Sequence, residues 1–208
     1  MKYLFIIILL VTTVSVPAQI INNYGFKLGY VSSSQTYSGF ELDNSIKRKS
    51  GYSFGAFVDI FNFNGFSLSP EIKYIQKGCG LEMVLTGPEG PEPIGKKIEY
   101  VYHNYLSIPI FWVYKIQLIA GIPFLKIAPR YDILLNSYDD FNSPASTYDN
   151  YKNVFGGTLS AGFIPKLNIA ITPFIEISYH MDFTNTYSGV NNKIKNNALE
   201  VCVGLILP

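Results

Sequence analysis

The chain has 208 residues, of which 48% are hydrophobic, 15% aromatic and 15% charged, with 16 basic and 15 acidic residues. Disordered chains combine low hydrophobicity with high net charge, and an average soluble domain carries about 25% charged residues. The composition therefore excludes a disordered chain, and the near-neutral total argues against a nucleic-acid-binding protein. Few charges beside many aromatic rings indicate that part of the surface faces something other than water.

The first eighteen residues have the parts of a secretory signal peptide. Lys2 precedes an apolar run that is too short to span a bilayer, and Val16 and Ala18 suit positions −3 and −1 of a cleavage site. We expect residues 1–18 to be removed and residues 19–208 to form the mature domain; the alternative is a buried N-terminal strand. Loss of Lys2 leaves 15 basic and 15 acidic residues, and no polybasic arm for phosphate contacts.

The mature chain alternates apolar and polar residues with period two, which is typical of strands that lie between two different surroundings. The pattern is longest from Asn168 to Phe183 and recurs seven more times. The eight predicted strands are 26–30, 52–60, 66–74, 102–114, 125–133, 155–167, 168–183 and 199–207. No mature segment reaches the roughly 18 apolar residues of a transmembrane helix. A chain of this kind can therefore enter a membrane only as a closed barrel.

The predicted connections alternate between long and short. The long ones are 32–50, 78–98, 136–152 and 184–197, and the short ones are 61–65, 115–122 and 164–168. The first short connection contains Asn64-Gly65, the strongest hairpin dipeptide. All the long loops then lie at one end of the structure. This asymmetry is typical of outer-membrane barrels, which have short periplasmic turns and longer external loops.

The two faces of the predicted strands indicate which side meets lipid. The polar face is sparse in charge and rich in Gly and Ser, which suits an eight-stranded lumen filled by side chains. Its charges nearly balance, as buried ions must: Lys27, Lys73, Lys126 and Arg130 against Asp59, Glu71, Asp132, Glu176 and Glu200. Aromatic residues lie toward the strand ends on the apolar face, as interfacial girdles do. The alternative is a soluble, secreted, lipocalin-like barrel that holds an apolar ligand inside.

Four motifs follow one another with the order and spacing of a known family. They are Gly25–Gly29, Ser69–Gly78, Tyr105–Pro109 and Gly156–Gly162. In these motifs the chain resembles the PorT-like outer-membrane β-barrel family of Bacteroidetes. It departs from that family at Ala128-Pro129-Arg130, where Gly-Pro with an aromatic is usual, and at its end, Leu207-Pro208, which lacks a final aromatic. The resemblance implies an outer-membrane barrel; most members have no assigned activity, and a few are linked to type IX secretion.

Candidate catalytic residues are few, because the chain has only two histidines, His103 and His180. His180 and Asp182 share a strand face near the loop end, where a His base and an orienting carboxylate could serve an outer-membrane enzyme. Its nucleophile would come from a loop, for example Ser143 or Ser188. The simpler interpretation, which we favour, is that His180 and Asp182 satisfy each other within a polar lumen.

Three loop features have simple interpretations. The proline-stiffened segment 87–93 is either a recognition surface or an irregular external loop, and we favour the loop. Asp139, Asp140 and Asp149 are able to bind a hard cation weakly, but solvation of a loop explains them better. The segment 95–97 lacks the residues of a phosphate-binding loop.

The sequence thus predicts an all-β, eight-stranded antiparallel up-and-down barrel of the cell outer membrane, monomeric and surrounded by outer-membrane lipid. We expect a closed polar lumen, free thiols at Cys79 and Cys202, and a structural or interaction role in which external loops contact an envelope or extracellular protein. We predict no enzyme activity, no catalytic, cofactor-binding or metal-binding residues, no cofactor and no nucleic-acid partner.

Overall fold

The computed structural model describes residues 21–38, 45–86, 93–140, 151–167, 169–187 and 193–207. The predicted signal peptide, residues 1–18, lies outside these ranges. The strands are β1 Ile21–Ser38, β2 Ile46–Lys47, β3 Lys49–Phe63, β4 Phe66–Thr86, β5 Pro93–Lys115, β6 Gly121–Asp139, β7 Val154–Pro165, β8 Thr172–Asp182 and β9 Lys193–Leu207. Within the described ranges, no helix is long and apolar enough to cross a membrane.

Eight long strands form one closed ring. Hydrogen bonds join them in the order β4-β3-β1-β9-β8-β7-β6-β5, and pairing between β4 and β5 closes the ring. Each pair is antiparallel, and consecutive long strands are neighbours, so the topology is up-and-down. The two-residue β2 pairs with β4 at Leu81 and Gly80. The predicted eight-stranded antiparallel barrel is confirmed.

The strands extend much further at the long-loop end than the sequence predicts. β1 continues to Ser38, β4 reaches Thr86, and β5 already begins at Pro93, which pairs with Thr86. Much of the predicted loops 32–50 and 78–98, and the margins of 136–152 and 184–197, are therefore strand, and those predicted boundaries are wrong. Beyond an apolar belt the outer face of a strand meets water, so the apolar alternation fades while backbone pairing continues. Residues 87–92 of the predicted loop lie outside the described residues.

The short connections lie together at the opposite end. Asn64 and Gly65 both have positive φ, 50° and 86°, as a two-residue hairpin turn requires. The predicted strand 168–183 begins only at Thr172, and the prediction is wrong at its start. β7 ends at Pro165, opposite Gly121 of β6, and the next residue instead bonds the Ala120 carbonyl in the neighbouring turn. The apolar–polar pattern of the sequence continues through this turn, because such a pattern can occur where the backbone has no partner strand.

The apolar face points outward, as predicted. Phe26 and Leu28 are 58% and 64% exposed, whereas Lys27 between them is 3% exposed. Aromatic rings pair at both margins of the apolar belt. Centroid distances are 5.5 Å for Tyr52 and Tyr74 and 4.6 Å for Tyr102 and Tyr138 toward the long-loop end, and 4.6 Å for Phe66 and Tyr114 at the other. These are the two girdles expected of a lipid-facing barrel.

Candidate functional site

Six buried residues form a charged layer in the middle of the lumen, which we call the glutamate cluster. Its members are Lys27, Lys73, Lys126, Glu71, Glu176 and Glu200. Lys27 contacts Glu71 and Glu176, each at 2.8 Å, and Lys126 also contacts Glu176 at 2.8 Å. Three lysines face three glutamates, so the layer is neutral. Successive side chains of a strand point to opposite faces of the sheet. Each of these side chains therefore points into the lumen, while its neighbours in the sequence face the lipid.

A second neutral layer lies toward the long-loop end and is called the aspartate cluster. It consists of Lys77, Arg130, Asp132 and Asp182. Lys77 contacts Asp132 at 2.6 Å and Asp182 at 3.3 Å, while Arg130 contacts Asp132 at 3.0 Å and also Asp182. The four residues close a ring in which each ion touches two opposite charges. Such mutual compensation is what makes buried ions tolerable.

His180 connects the two clusters. Its Nε2 lies 2.7 Å from Glu200 Oε2 and its Nδ1 lies 2.9 Å from Thr158 Oγ1, which also accepts a bond from Arg130 at 3.5 Å. Asp182 is bonded instead by Lys77, Arg130 and the Asn196 side chain. The prediction that His180 and Asp182 satisfy each other is therefore wrong.

The reason for that error is geometric. Residues two apart on one strand stand roughly 6.6 Å apart along it, farther than directly opposed residues on neighbouring strands. Thr158 stands directly opposite His180 on β7 and takes one bond, while Glu200 of β9, which pairs with Ser178, reaches His180 on the diagonal. His180 is also only 1% exposed, so the structure places it in the lumen and away from the rim. Ser143 and Ser188, the suggested nucleophiles, and Asp149 lie outside the described residues.

An apolar plug fills the lumen at the short-turn end. It comprises Phe57, Phe111, Val113, Phe124, Ala128, Ile164 and Phe174. Lys126 of the glutamate cluster lies above it, with Nζ 4.8 Å from the Phe124 ring centroid. A side chain at Gly162 would collide with the Phe124 ring, and one at Gly204 with the Phe174 ring. Glycine thus makes room for the plug. A cavity of about 10 Å³ remains beside it, the space of about one water.

Neutral polar residues form an outer cap on the aspartate cluster: Gln35, Cys79, His103 and Asn196. Gln35 Nε2 donates to His103 Nε2 at 2.8 Å and to Asn196 Oδ1 at 3.0 Å. Asn196 in turn donates to Asp182 at 2.9 Å, which joins the cap to the ions below. Cys79 and Cys202 are both free, as predicted, and the structure shows that both are buried. Plug, clusters and cap follow one another along the lumen.

One hairpin rises above the barrel and is called the projecting hairpin; it consists of Glu82–Thr86 of β4 and Pro93–Glu99 of β5. At about 3.3 Å per residue, Thr86 lies roughly 20 Å along the strand beyond Gly80. Glu82 N–H still donates to the Ser45 carbonyl at 2.8 Å. Beyond this bond and the last β5–β6 pair, Val101 with Asp139, the two strands pair only with each other within the described ranges. Val84, Leu85 and Ile98 are 57%, 42% and 42% exposed.

Ion pairs fasten the base of the projecting hairpin. Glu82 lies 2.6 Å from Lys96 and 3.0 Å from Lys47, and Lys97 lies 2.5 Å from Glu99. Hydrogen bonds from Lys96 and then Lys47 hold the pKa of Glu82 below its usual range. The hydrogen bond to Glu99 likewise raises the pKa of Lys97. These pairs stand in water, so they orient the hairpin more than they stabilise the barrel.

Lys77, His103 and Gln35 are among the interior residues that the sequence analysis did not place in the lumen. Lys77 was missed because the third predicted strand, 66–74, was expected to end at Tyr74, and His103 and Gln35 lie in segments predicted as a strand margin and a loop. The sequence pattern did not show that the strands remain paired with their neighbours beyond the predicted strand ends. Within the described ranges, no group of His, Cys, Asp or Glu is arranged to hold a metal ion. Asp140 instead accepts a bond from the Tyr100 backbone at 3.2 Å.

Comparison with solved structures gives the same architecture. OprG from Pseudomonas aeruginosa is 12% identical, with a TM-score of 0.53 over 90% of this chain and 97% of its own. Neisserial surface protein A is 11% identical (TM-score 0.48; 88% and 96% covered). Ail of Yersinia pestis, solved with the heparin analogue sucrose octasulfate, is 12% identical (TM-score 0.47; 89% and 98% covered). The OprG likeness supports the fold alone.

The family comparison goes further than the structural one. No curated protein matches the sequence. The model of the outer membrane protein beta-barrel domain matches residues 18–188, most of the chain. The outward apolar belt, the aromatic girdles and the self-neutralising lumen agree with this match. The chain therefore belongs to the outer membrane protein beta-barrel domain family and is a protein of the cell outer membrane.

Proposed function

We propose that the protein is a monomeric, non-conducting and non-enzymatic barrel that acts as an interaction component of the outer membrane through its external hairpins. The observation that carries this proposal is the projecting hairpin. Its strands have unpaired edges within the described ranges, and it exposes Val84, Leu85 and Ile98 well above the lipid belt. Exposed edges and apolar side chains favour a partner protein that adds a strand.

The interior supports the proposal that the barrel is non-conducting and non-enzymatic. The plug, the two ion clusters and the outer cap fill the lumen with side chains that bond one another. An eight-stranded barrel is just wide enough for such filling. The rim-enzyme alternative loses its base, since His180 is buried and held by Glu200 and Thr158. We assign no catalytic, cofactor or metal role to any residue.

The partner class follows from location and resemblance. The projecting hairpin emerges at the end that carries the longer connections, which outer-membrane barrels turn to the exterior. We propose an envelope or extracellular protein as the partner. The resemblance to the PorT-like family of Bacteroidetes suggests a component of a secretion system, and the closed ring, whose long strands are all paired, supports a monomer within the membrane.

Site-specific crosslinking in cells tests the proposal. A photoreactive side chain at Leu85, in the projecting hairpin, should capture one discrete protein, while the same group at Ile177, on the lipid-facing wall, should not. Val84→Asp combined with Ile98→Asp should abolish the capture, with barrel folding checked by gel mobility before and after heating. Equal capture at both sites, or capture that survives the double substitution, would refute a hairpin interface.

A further inference from the structure

The outer wall carries a basic patch just above the aromatic girdle on strands β1, β3 and β9. Its cations are Arg48, Lys193 and Lys195, accompanied by the hydroxyl and amide groups of Ser32, Ser34, Thr36, Ser50 and Asn197. Register places them together: Thr36 of β1 pairs with Lys195 of β9, and Ser32 pairs with Ser50 of β3. The outward positions of these described segments hold no carboxylate.

Arg48 is only partly engaged by the protein. Its Nε donates to Ser32 Oγ at 2.8 Å and its Nη2 donates to the Ser32 carbonyl. A guanidinium has five N–H donors, so three are not taken by side chains or carbonyls of the described residues. These bonds hold the Arg48 side chain over β1. This strand lies between β3, which carries the Ser50 hydroxyl, and β9, which carries the two lysines. With strands about 4.8 Å apart, β3 and β9 lie roughly 10 Å from each other, within reach of one phosphorylated headgroup.

Two apolar recesses lie below this patch, on its strands β1, β3 and β9 and on neighbouring strands. One, of about 570 Å³, lies between β1, β3 and β4 and is lined by Phe54, Ala56 and Ile72. The other, of about 390 Å³, lies between β1, β8 and β9 and is lined by Pro173, Val203 and Leu205. Phe26 and Leu28 of β1 form the ridge that separates them. Four residues, about 13 Å of strand, separate Leu28 from Ser32.

We infer that this wall binds a phosphorylated lipid of the outer leaflet, with its phosphates on the basic patch and its acyl chains in the two recesses. Phosphate oxygens suit Arg, Lys and hydroxyl donors, and charged-group bonds of this kind are the strong ones. The apolar recesses select a lipid over a free anion. This site lies on the lipid-facing wall, so it is independent of the projecting hairpin and of the proposed partner protein.

Native mass spectrometry of the folded chain in a neutral detergent tests the inference. The probes are lipid A, which carries phosphates and acyl chains, the same lipid after removal of its phosphates, and inorganic phosphate. We expect the wild-type protein to retain lipid A, to bind the dephosphorylated form much less, and to keep its lipid when inorganic phosphate is added at equal concentration. Equal retention of both lipids, or displacement by inorganic phosphate, would overturn the inference.

A matched pair of variants locates the site. The triple variant Arg48→Gln, Lys193→Gln, Lys195→Gln should weaken lipid A binding about 100-fold, at roughly fivefold for each surface cation. The control Lys96→Gln, Lys97→Gln, Lys166→Gln removes the same charge elsewhere and should leave the affinity unchanged. Both variants should show the gel mobility of the folded barrel before heating. Unchanged affinity in the first variant would refute the patch. An equal loss in the control would assign the binding to net charge and would refute the patch as well.

Discussion

Replacing Glu176 with Gln should destabilise the barrel more than any change outside the membrane belt. Glu176 is fully buried and accepts Lys27 and Lys126, each at 2.8 Å. After Glu176→Gln, Lys27 keeps Glu71 at 2.8 Å, whereas Lys126 loses the one carboxylate that it pairs with among the described residues and keeps its contacts with aromatic rings, the nearest of which is Phe124 at 4.8 Å. Removing one partner of a buried ion pair costs about 3–5 kcal/mol. We expect about 3 kcal/mol, because the rings retain part of the attraction.

Urea unfolding in detergent micelles measures this loss. Trp112 is the only tryptophan and lies on the outer wall, 56% exposed, so its fluorescence reports removal from the apolar belt. The variant should unfold at lower urea with an unchanged slope. Adding Lys126→Met should recover at least half of the loss, since an apolar side chain of similar length no longer needs a counter-ion.

Glu82→Gln is the matched control, because it removes a carboxylate that pairs with two lysines outside the belt. It should leave the unfolding midpoint unchanged. If Glu176→Gln unfolds at the wild-type midpoint, or if the second substitution adds its own loss, the lumen does not depend on charge compensation and the reasoning fails.

Three further outcomes follow from the same architecture. Ile175→Arg, on the lipid-facing wall, should lower the free energy of unfolding by about 2–4 kcal/mol and impair assembly. Val84→Arg, on the projecting hairpin, should assemble normally. Equal heat-dependent gel shifts in the two variants would contradict the outward orientation of the apolar face. Cys79 and Cys202 should resist a maleimide reagent until the barrel is unfolded, and labelling of the folded protein would show that the interior is open. The lowered pKa of Glu82 means that its contribution is present above the usual carboxyl pKa of about 4.3 and lost as pH falls through the lower folded value. Hydrogen exchange should therefore show a better protected hairpin in wild type than in Glu82→Gln near pH 7, and equal protection once the carboxylate is protonated.

Period-two alternation was sufficient to predict the barrel and the inward charges within the apolar belt, such as Lys27 and Glu176. It places Lys27 between Phe26 and Leu28, and the structure confirms the inward lysine and the outward rings. Alternation reports the two surroundings of a strand, so it is strongest where one of them is lipid. It fails beyond the belt, where both sides of β4 meet polar groups. Lys77 and the projecting hairpin were lost from the prediction for that reason.

Partner choice inside the lumen could not be predicted from a single sequence. Lys27 and Glu176 are 149 positions apart, and their contact depends on how far each strand is displaced along its neighbour. This displacement is a property of the whole closed ring. His180 illustrates the consequence. Its nearest charged residue on the same face of the strand is Asp182, yet it bonds Glu200 on the adjacent strand.

The central claim is that the lumen is closed by its own side chains. Single-channel recording of the purified, refolded protein in planar lipid bilayers tests it most directly, with insertion verified by the heat-dependent gel shift of the recovered protein. We expect no discrete conductance steps at any applied voltage that the bilayer tolerates, because the apolar plug and the two neutral ion clusters lie across the path. Reproducible steps that disappear with heat-denatured protein would contradict this account.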